Sequence, residues 1–396
     1  MASNRRYDID WLRNLGILLL FPFHSARVFD HWDPFYVKSH VLSWGLSWFI
    51  ASTSYWFMPL LFWLAGSSSW YALQHRSYQQ YMKDRISRLL IPFIFGLLLI
   101  VPPQGYFSLW QHKGDSPGNY FTFLKNYFKD FSDLSGYFGS FTPAHLWFIL
   151  YLFVLSLIAL PLLIYIKNKN GTSRFEKFHS IFSKPYVYIL FFIILAATQS
   201  LPAPGGQNPF YYLAFLIMGF VTASHPNYQK MFNIYRFHAL ILIIILVPVW
   251  EIILFHSLDS TRFSPVDMFN AFLRSLNTWL TLIVILGYGN KFLNFSHKLV
   301  PYMNEASFPI YIIHQSILVV VGYFILKFNI GVWQEYFLIM AITFMISVII
   351  YEFIIKRTLF TRWIFGVKIK TPITKKAAKK MNKDSLTLMD EERRGV

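Results

Sequence analysis

Residues 144–166 read Ala-His-Leu-Trp-Phe-Ile-Leu-Tyr-Leu-Phe-Val-Leu-Ser-Leu-Ile-Ala-Leu-Pro-Leu-Leu-Ile-Tyr-Ile, without an Asp, Glu, Lys or Arg. An α-helix crosses the hydrocarbon core of a bilayer with about 20 mostly apolar residues. Nine further stretches read the same way: 11–29, 42–73, 89–104, 185–201, 209–224, 237–256, 268–289, 303–326 and 334–355. The stretch 42–73 is long and carries Pro59, which implies a kink or strong tilt. The stretch 185–201 is short and stops at a Pro-Ala-Pro-Gly-Gly breaker. The fold expected is all-α, a polytopic membrane protein of about ten transmembrane helices.

Composition agrees. Of 396 residues, 55% are apolar, 20% aromatic and only 14% charged, against roughly 25% charged in soluble domains. That nearly excludes a water-soluble enzyme and excludes a disordered chain. The lack of cysteine removes disulfides, thiolate metal sites and a Cys nucleophile. A net charge of +17 suggests cytoplasmic loops and anionic lipid here, not nucleic acid.

The cations set an orientation. With the N-terminus in the cytoplasm and ten alternating spans, 28 of the 36 Lys and Arg fall inside, seven outside, and Arg274 lies within a span. The positive-inside rule then expects both termini to be cytoplasmic, in a multi-pass protein of the cell membrane. The first span has no small-residue cleavage site and is expected to remain as a helix. Residues 1–356 form the membrane domain; residues 357–396, with seven lysines between Lys368 and Lys383, are expected to form a disordered, lipid-attracted tail. The longest outer loop, about 105–143, holds Tyr106, Trp110, Tyr120, Phe121, Tyr127, Phe131, Tyr137 and Phe141. Such rings either stack on sugars or anchor the loop at the membrane interface.

Ionisable groups inside a membrane are costly, so each is a candidate for function. Arg13 and His24 lie eleven residues apart in the first span, about 16 Å along a helix and within about 20° of whole turns. They therefore share one face. Function and the bland reading, a snorkelling Arg with a histidine bonded to a neighbour, are about equally supported by spacing alone. Arg85 and Arg88 stand one turn apart at the start of the third span, where two guanidinium forks suit a phosphate-rich ligand, although ordinary positive-inside flanking explains them more simply. His145 and Trp147 open the fourth span, and His314-Gln315 lies within the ninth. Glu251, Arg274, Asn277, Asn304, Glu305 and Glu352 complete the set and are most simply paired inside the bundle. Phosphate loops, zinc-protease helices, nucleophile elbows and a metal constellation are not read in the sequence.

These residues resemble a family. Arg13-x10-His24 with flanking Asp-Ile-Asp-Trp-Leu-Arg and Phe-His-Ser-Ala-Arg, then Arg85-x2-Arg88-x3-Pro92, His145-Leu-Trp-Phe and Tyr311-Ile-Ile-His314, resemble the membrane acyltransferase-3 family over about residues 7–355. The start of the chain looks most similar to the branch that includes glucan succinyltransferases. The resemblance implies an integral membrane O-acyltransferase that moves an acyl group, acetyl or succinyl, from cytoplasmic acyl-CoA to a hydroxyl of an extracytoplasmic glycan. By motif match His24 carries the chemistry, Arg13, Arg85 and Arg88 hold the donor, and His145, Trp147 and His314 face the acceptor. Acyl-CoA enters as a substrate, not a resident cofactor; the partners implied are that donor, the saccharide and membrane lipids.

Acyl-CoA cannot cross a bilayer, but arginines at the cytoplasmic side can hold its phosphates while the pantetheine arm reaches inward. His24 then acts as a base on the acceptor hydroxyl or is itself acylated in a two-step crossing. The rival class is a transporter or flippase of an envelope lipid or saccharide, weakened by the lack of any internal repeat.

Overall fold

The computed structural model describes residues 5–114, 116–256 and 264–368. Every regular element among them is helical. The helices are α1 (Tyr7–Arg27), α2 (Trp44–His75), α3 (Tyr78–Lys113), α4 (Tyr120–Tyr127), α5 (Ala144–Lys169), α6 (Ser173–Phe182), α7 (Pro185–Gln199), α8 (Pro209–Ser224), α9 (Pro226–His256), α10 (Pro265–Leu293), α11 (Leu299–Phe328), α12 (Val332–Ile355) and α13 (Leu359–Ile364). Seven are long and apolar enough to cross a membrane: α2, α3, α5, α9, α10, α11 and α12. The other three stretches expected to span are also helical. Of these, α7 and α8 are short, at 15 and 16 residues, and α1 is diluted by Asp8, Asp10, Arg13, Asn14, His24 and Arg27. A helix that carries a polar site fails a test of apolarity for that reason.

α1 touches α2, α10, α11 and α12 and so lies at the centre of the bundle. Small residues permit the closest crossing, between α2 and α8. A Cβ on Gly66 would stand 1.9 Å from the Leu216 carbonyl oxygen, and one on Gly219 2.0 Å from that of Trp63. Ser67 Oγ donates to the Gly219 carbonyl at 3.0 Å across the same crossing. Packing of this kind replaces the hydrophobic drive that lipid does not supply.

Two departures from the sequence reading matter for the site. The third span does not stop near residue 104: α3 continues to Lys113, with a bend at Val101 and π-type turns at Ile86–Leu90 and Gly96–Ile100. The loop after it is consequently part helix, and its rings mostly pack on one another: Tyr106 lies 5.3 Å from both Tyr120 and Phe123, and Phe107 5.2 Å from Tyr323. Phe121 and Phe131 remain exposed. The second departure is at the C-terminal end. Residues 359–368, assigned to the tail, fold back on the bundle: Arg362 pairs with Glu305 at 3.1 Å and donates to the Lys368 carbonyl at 2.6 Å. A Cβ on Gly366 would stand 3.1 Å from the Arg88 carbonyl oxygen. The rest of the lysine tail lies outside the described residues.

Candidate active site

α1 presents Arg13 and His24 to the same neighbour, α11, as their spacing implies. Arg13 Nη2 donates to Asn304 Oδ1 at 2.9 Å and to Asp10 Oδ1 at 2.8 Å. Asn14 donates to the same Asn304 oxygen at 2.9 Å and accepts from Ser307 Oγ at 2.9 Å. Three turns along, the His24 ring centroid lies 5.3 Å from that of His314, which lies 5.1 Å from that of His145. Three imidazoles from α1, α5 and α11 therefore meet in the bundle interior.

Backbone carbonyls fix two of the three tautomers. His314 Nδ1 lies 2.6 Å from the Tyr311 carbonyl oxygen. A carbonyl only accepts, so Nδ1 carries the hydrogen and Nε2 keeps its lone pair. His145 has the opposite assignment: Nε2 donates to the Ile312 carbonyl at 2.9 Å, leaving Nδ1 as the acceptor. The Tyr311 hydroxyl donates to the His145 carbonyl, and Ala144 takes a left-handed φ of 46° just before it. His314 Nε2, His145 Nδ1 and His24 Nδ1 are all enclosed without a hydrogen bond, as is Gln315 Oε1. Each such orphan costs about 1–3 kcal/mol, and unpartnered nitrogens on three neighbouring rings make this a candidate site for a polar ligand. Gln315, Gln104 and Ser316 form a buried chain beside it, at 3.0 and 2.7 Å. The sequence reading had His314 and His145 as acceptor contacts and passed over Gln104; a glutamine deep in an apolar span was the available signal.

The arginines occupy the end of the bundle that also carries Arg5 and Lys368. They do not converge as their spacing suggests. Arg85 donates to Ser69 Oγ and the Tyr81 hydroxyl, both at 2.7 Å, whereas Arg88 makes no hydrogen bond or ion pair with the described residues. The π-type turn at Ile86–Leu90 replaces i→i+4 by i→i+5 bonding and so spoils the one-turn alignment. Arg88 stays within electrostatic reach of Arg76, Arg85 and Asp84. Lys368 is held below the usual lysine range, first by Arg88 and then by burial, with Arg76 and Arg5 adding to the effect. Arg5 in turn shares Asp10 with Arg13, at 2.8 Å each. The result is a basic rim, not a single clamp. A cavity of about 360 Å³, lined by Arg6, Tyr71, His225, Gln229, Lys230 and Asn290 among others, opens at the α1 N-terminus and was not singled out in the sequence.

Trp147 and several of the weaker candidates have partners away from the histidines, while Glu251 Oε1 is buried without a hydrogen bond. Trp147 is not brought to the histidines; it packs 5.4 Å from Tyr212 and 5.3 Å from Tyr151. Glu305 pairs with Arg362, Glu352 with Lys356 at 3.0 Å, and Asn277 donates to the Leu246 carbonyl at 3.4 Å. Among the described residues no group of three His, Cys, Asp or Glu side chains is arranged to hold a metal ion.

A helical bundle with seven membrane-length apolar helices around a buried polar centre is a multi-pass membrane protein. The chain belongs to the acyltransferase-3 family, whose model, described as an acyltransferase domain, matches residues 6–352. It is accordingly a transferase of acyl groups. Glucans biosynthesis protein C from Salmonella heidelberg (strain SL476) is 23% identical over 348 residues, which is 82% of this chain and 85% of that protein. The proteins of the same name from Salmonella typhi and Salmonella typhimurium (strain LT2) match at the same identity and coverage. No solved structure matches the chain.

Proposed function

We propose that this enzyme moves an acetyl or succinyl group from cytoplasmic acyl-CoA to a hydroxyl of an extracytoplasmic glycan, with ten spans and both termini in the cytoplasm of a cell-membrane protein. The observation that carries the reading is the meeting of His24, His314 and His145, each with an unpartnered ring nitrogen, in a bundle with a basic rim at one end and an aromatic segment at the other. The nearness of Arg5 to Lys368 supports termini on one side. The relatives' name supports a glucan as acceptor.

In this reading Arg88, Arg13 and the rim beside them take the donor phosphates, with Arg85 holding the local structure. A neutral His24 accepts the proton of the acceptor hydroxyl, and the oxygen attacks the thioester carbonyl. The C–S bond breaks, the CoA sulfur leaves as thiolate, and the proton held on imidazole returns to it. His314, whose ring neighbours that of His24, offers Nε2 as an acceptor for the N–H that His24 gains, so a charge in a dry site has a partner. Radiolabelled acetyl-CoA or succinyl-CoA, offered with glucans to the purified protein in nanodiscs, tests this. Transfer that survives His24→Ala would remove His24 from the chemistry, and glycan movement across vesicles without CoA release would point to transport instead.

A further inference from the structure

At the end of the bundle opposite Arg5 and Lys368 there is a cavity of about 240 Å³, lined by Lys38, Trp110, Gln111, Tyr323, Lys327 and Glu335 among others. Trp110 and Tyr323 form an aromatic wall, with ring centroids 5.0 Å apart. Lys327 lies across it, its Nζ 4.2 Å from the Tyr323 centroid and 5.5 Å from that of Trp110, which holds the ammonium in place. Gln111 Nε2 donates to the Lys38 carbonyl at 2.5 Å. That bond fixes the amide orientation, because the reverse would set two acceptors together. Gln111 Oε1 is then an acceptor, and it is buried with no hydrogen bond. Glu335 is 3% exposed, and its Oε1 accepts from the Ile330 amide at 3.1 Å. The turn that aims this amide needs a left-handed Asn329 (φ 49°) and Gly331 at φ 111°.

We propose that this cavity binds one sugar ring of an oligosaccharide acceptor, at a distance from the hydroxyl that is acylated. The inference rests on the acyl-to-glycan reading above and adds the form of the acceptor. An apolar ligand would leave Gln111 Oε1 unanswered. An anion would satisfy Lys327 but meet the Glu335 carboxylate and offer Gln111 no hydrogen. Hydroxyls donate and accept at once, so they can donate to Gln111 Oε1 and accept from Lys327 without opposing the Glu335 carboxylate, while a sugar's C–H face suits an aromatic wall. The volume lies below the range of about 300–1,000 Å³ usual for drug-sized ligands, which suits a single ring.

The cavity is tied to α1 and yet remote from His24. Lys38 Nζ pairs with Asp30 at 3.2 Å, and Asp30 with Arg27 at 2.9 Å, one turn after His24. Along α11, Tyr323 stands nine residues beyond His314, about 13–14 Å at helix rise. One sugar ring does not fill that distance, so a glycan seated in the cavity must continue inward to reach the histidines.

The test uses the full chain in nanodiscs, Gln111→Leu and Lys327→Met, and a panel of glucose hexamers of different linkage against glucose. At least one hexamer is expected to show a KM tenfold or more below that of glucose. Either variant should remove that advantage while leaving kcat, the glucose KM and CoA release without glycan unchanged. Hexamers no better than glucose, or variants that retain the advantage, overturn the proposal. Should the wild-type protein transfer nothing from acyl-CoA, the functional reading fails on its own. Equilibrium binding of the hexamers and glucose to the purified wild-type and Gln111→Leu proteins then decides the cavity: preferential hexamer binding lost in the variant upholds it, and equal binding overturns it.

Discussion

His24 on α1 and His314 on α11 stand with ring centroids 5.3 Å apart, and ten residues before His314 the same helix holds Asn304 against Arg13 at 2.9 Å. The two polar positions of α1 are therefore matched by two on α11. Such a register binds the helices together and fixes the position of His24 in the bundle.

His24→Ala should lower kcat by about 10²–10⁴-fold, the usual worth of a positioned acid–base group. Because His24 donates and accepts no hydrogen bond among the described residues, the melting temperature in detergent should move little. A full-rate variant would exclude it from proton transfer.

His314→Asn and His145→Gln separate chemistry from structure. Asn at 314 keeps a donor for the Tyr311 carbonyl and removes Nε2; Gln at 145 keeps a donor for the Ile312 carbonyl and removes Nδ1. Both should fold and reduce kcat by about 10-fold or more. Alanine at either position should also cost stability, because the carbonyl loses its donor. Steady-state kinetics with thermal unfolding of the four variants checks both statements.

Gly66→Ala and Gly219→Ala should each destabilise the bundle, by about 1–3 kcal/mol. The clash is with backbone carbonyls at 1.9 and 2.0 Å, which no rotamer change relieves. Unfolding in detergent measures this, with Gly171→Ala as a comparison for an open position whose only penalty is its φ of 81°.

Asp30→Asn should loosen the 28–43 segment. Asp30 is fully buried and pairs with Arg27 at 2.9 Å and Lys38 at 3.2 Å, and breaking a buried pair costs about 3–5 kcal/mol. Hydrogen exchange in residues 28–43 should rise, as should proteolysis there. Unchanged protection would mean that the aromatic contacts alone hold the segment.

Acid should weaken the α6 connection. His179 is buried against Tyr228 and Asn170, each at 3.1 Å, and stacks on His225; burial, then the charge of His225, lowers its pKa from 6.5. The unfolded chain then binds a proton that the folded chain does not, so stability falls as pH drops from about 6.5 through the lowered value. His179→Gln should flatten that part of the pH–stability curve measured by thermal unfolding.

Much of this was legible before any tertiary structure. Ten apolar stretches gave ten helices because length and apolarity are local properties, and the 100° step of a helix put Arg13 and His24 on one face. The extent of α3 was not legible: residues 105–113 are polar enough to read as loop, and their helix is supported by packing of Tyr106 on Tyr120 and Phe123 and of Phe107 and Trp110 on Tyr323. The pairing of Arg85 was hidden for a related reason, since a π-type turn leaves no mark that the three-residue spacing could register.

The sequence by itself determined an all-helical membrane protein, because hydropathy and helical periodicity act along the chain, and its motifs carried the likeness to the acyltransferase-3 family. Only the tertiary structure decided which nitrogens are free. His145, His314 and His24 are separated by 121, 169 and 290 positions pairwise, and the tautomer of His145 depends on the Ile312 carbonyl of α11, which faces it only after the bundle has packed. A hydrogen bond across helices has no periodicity to betray it.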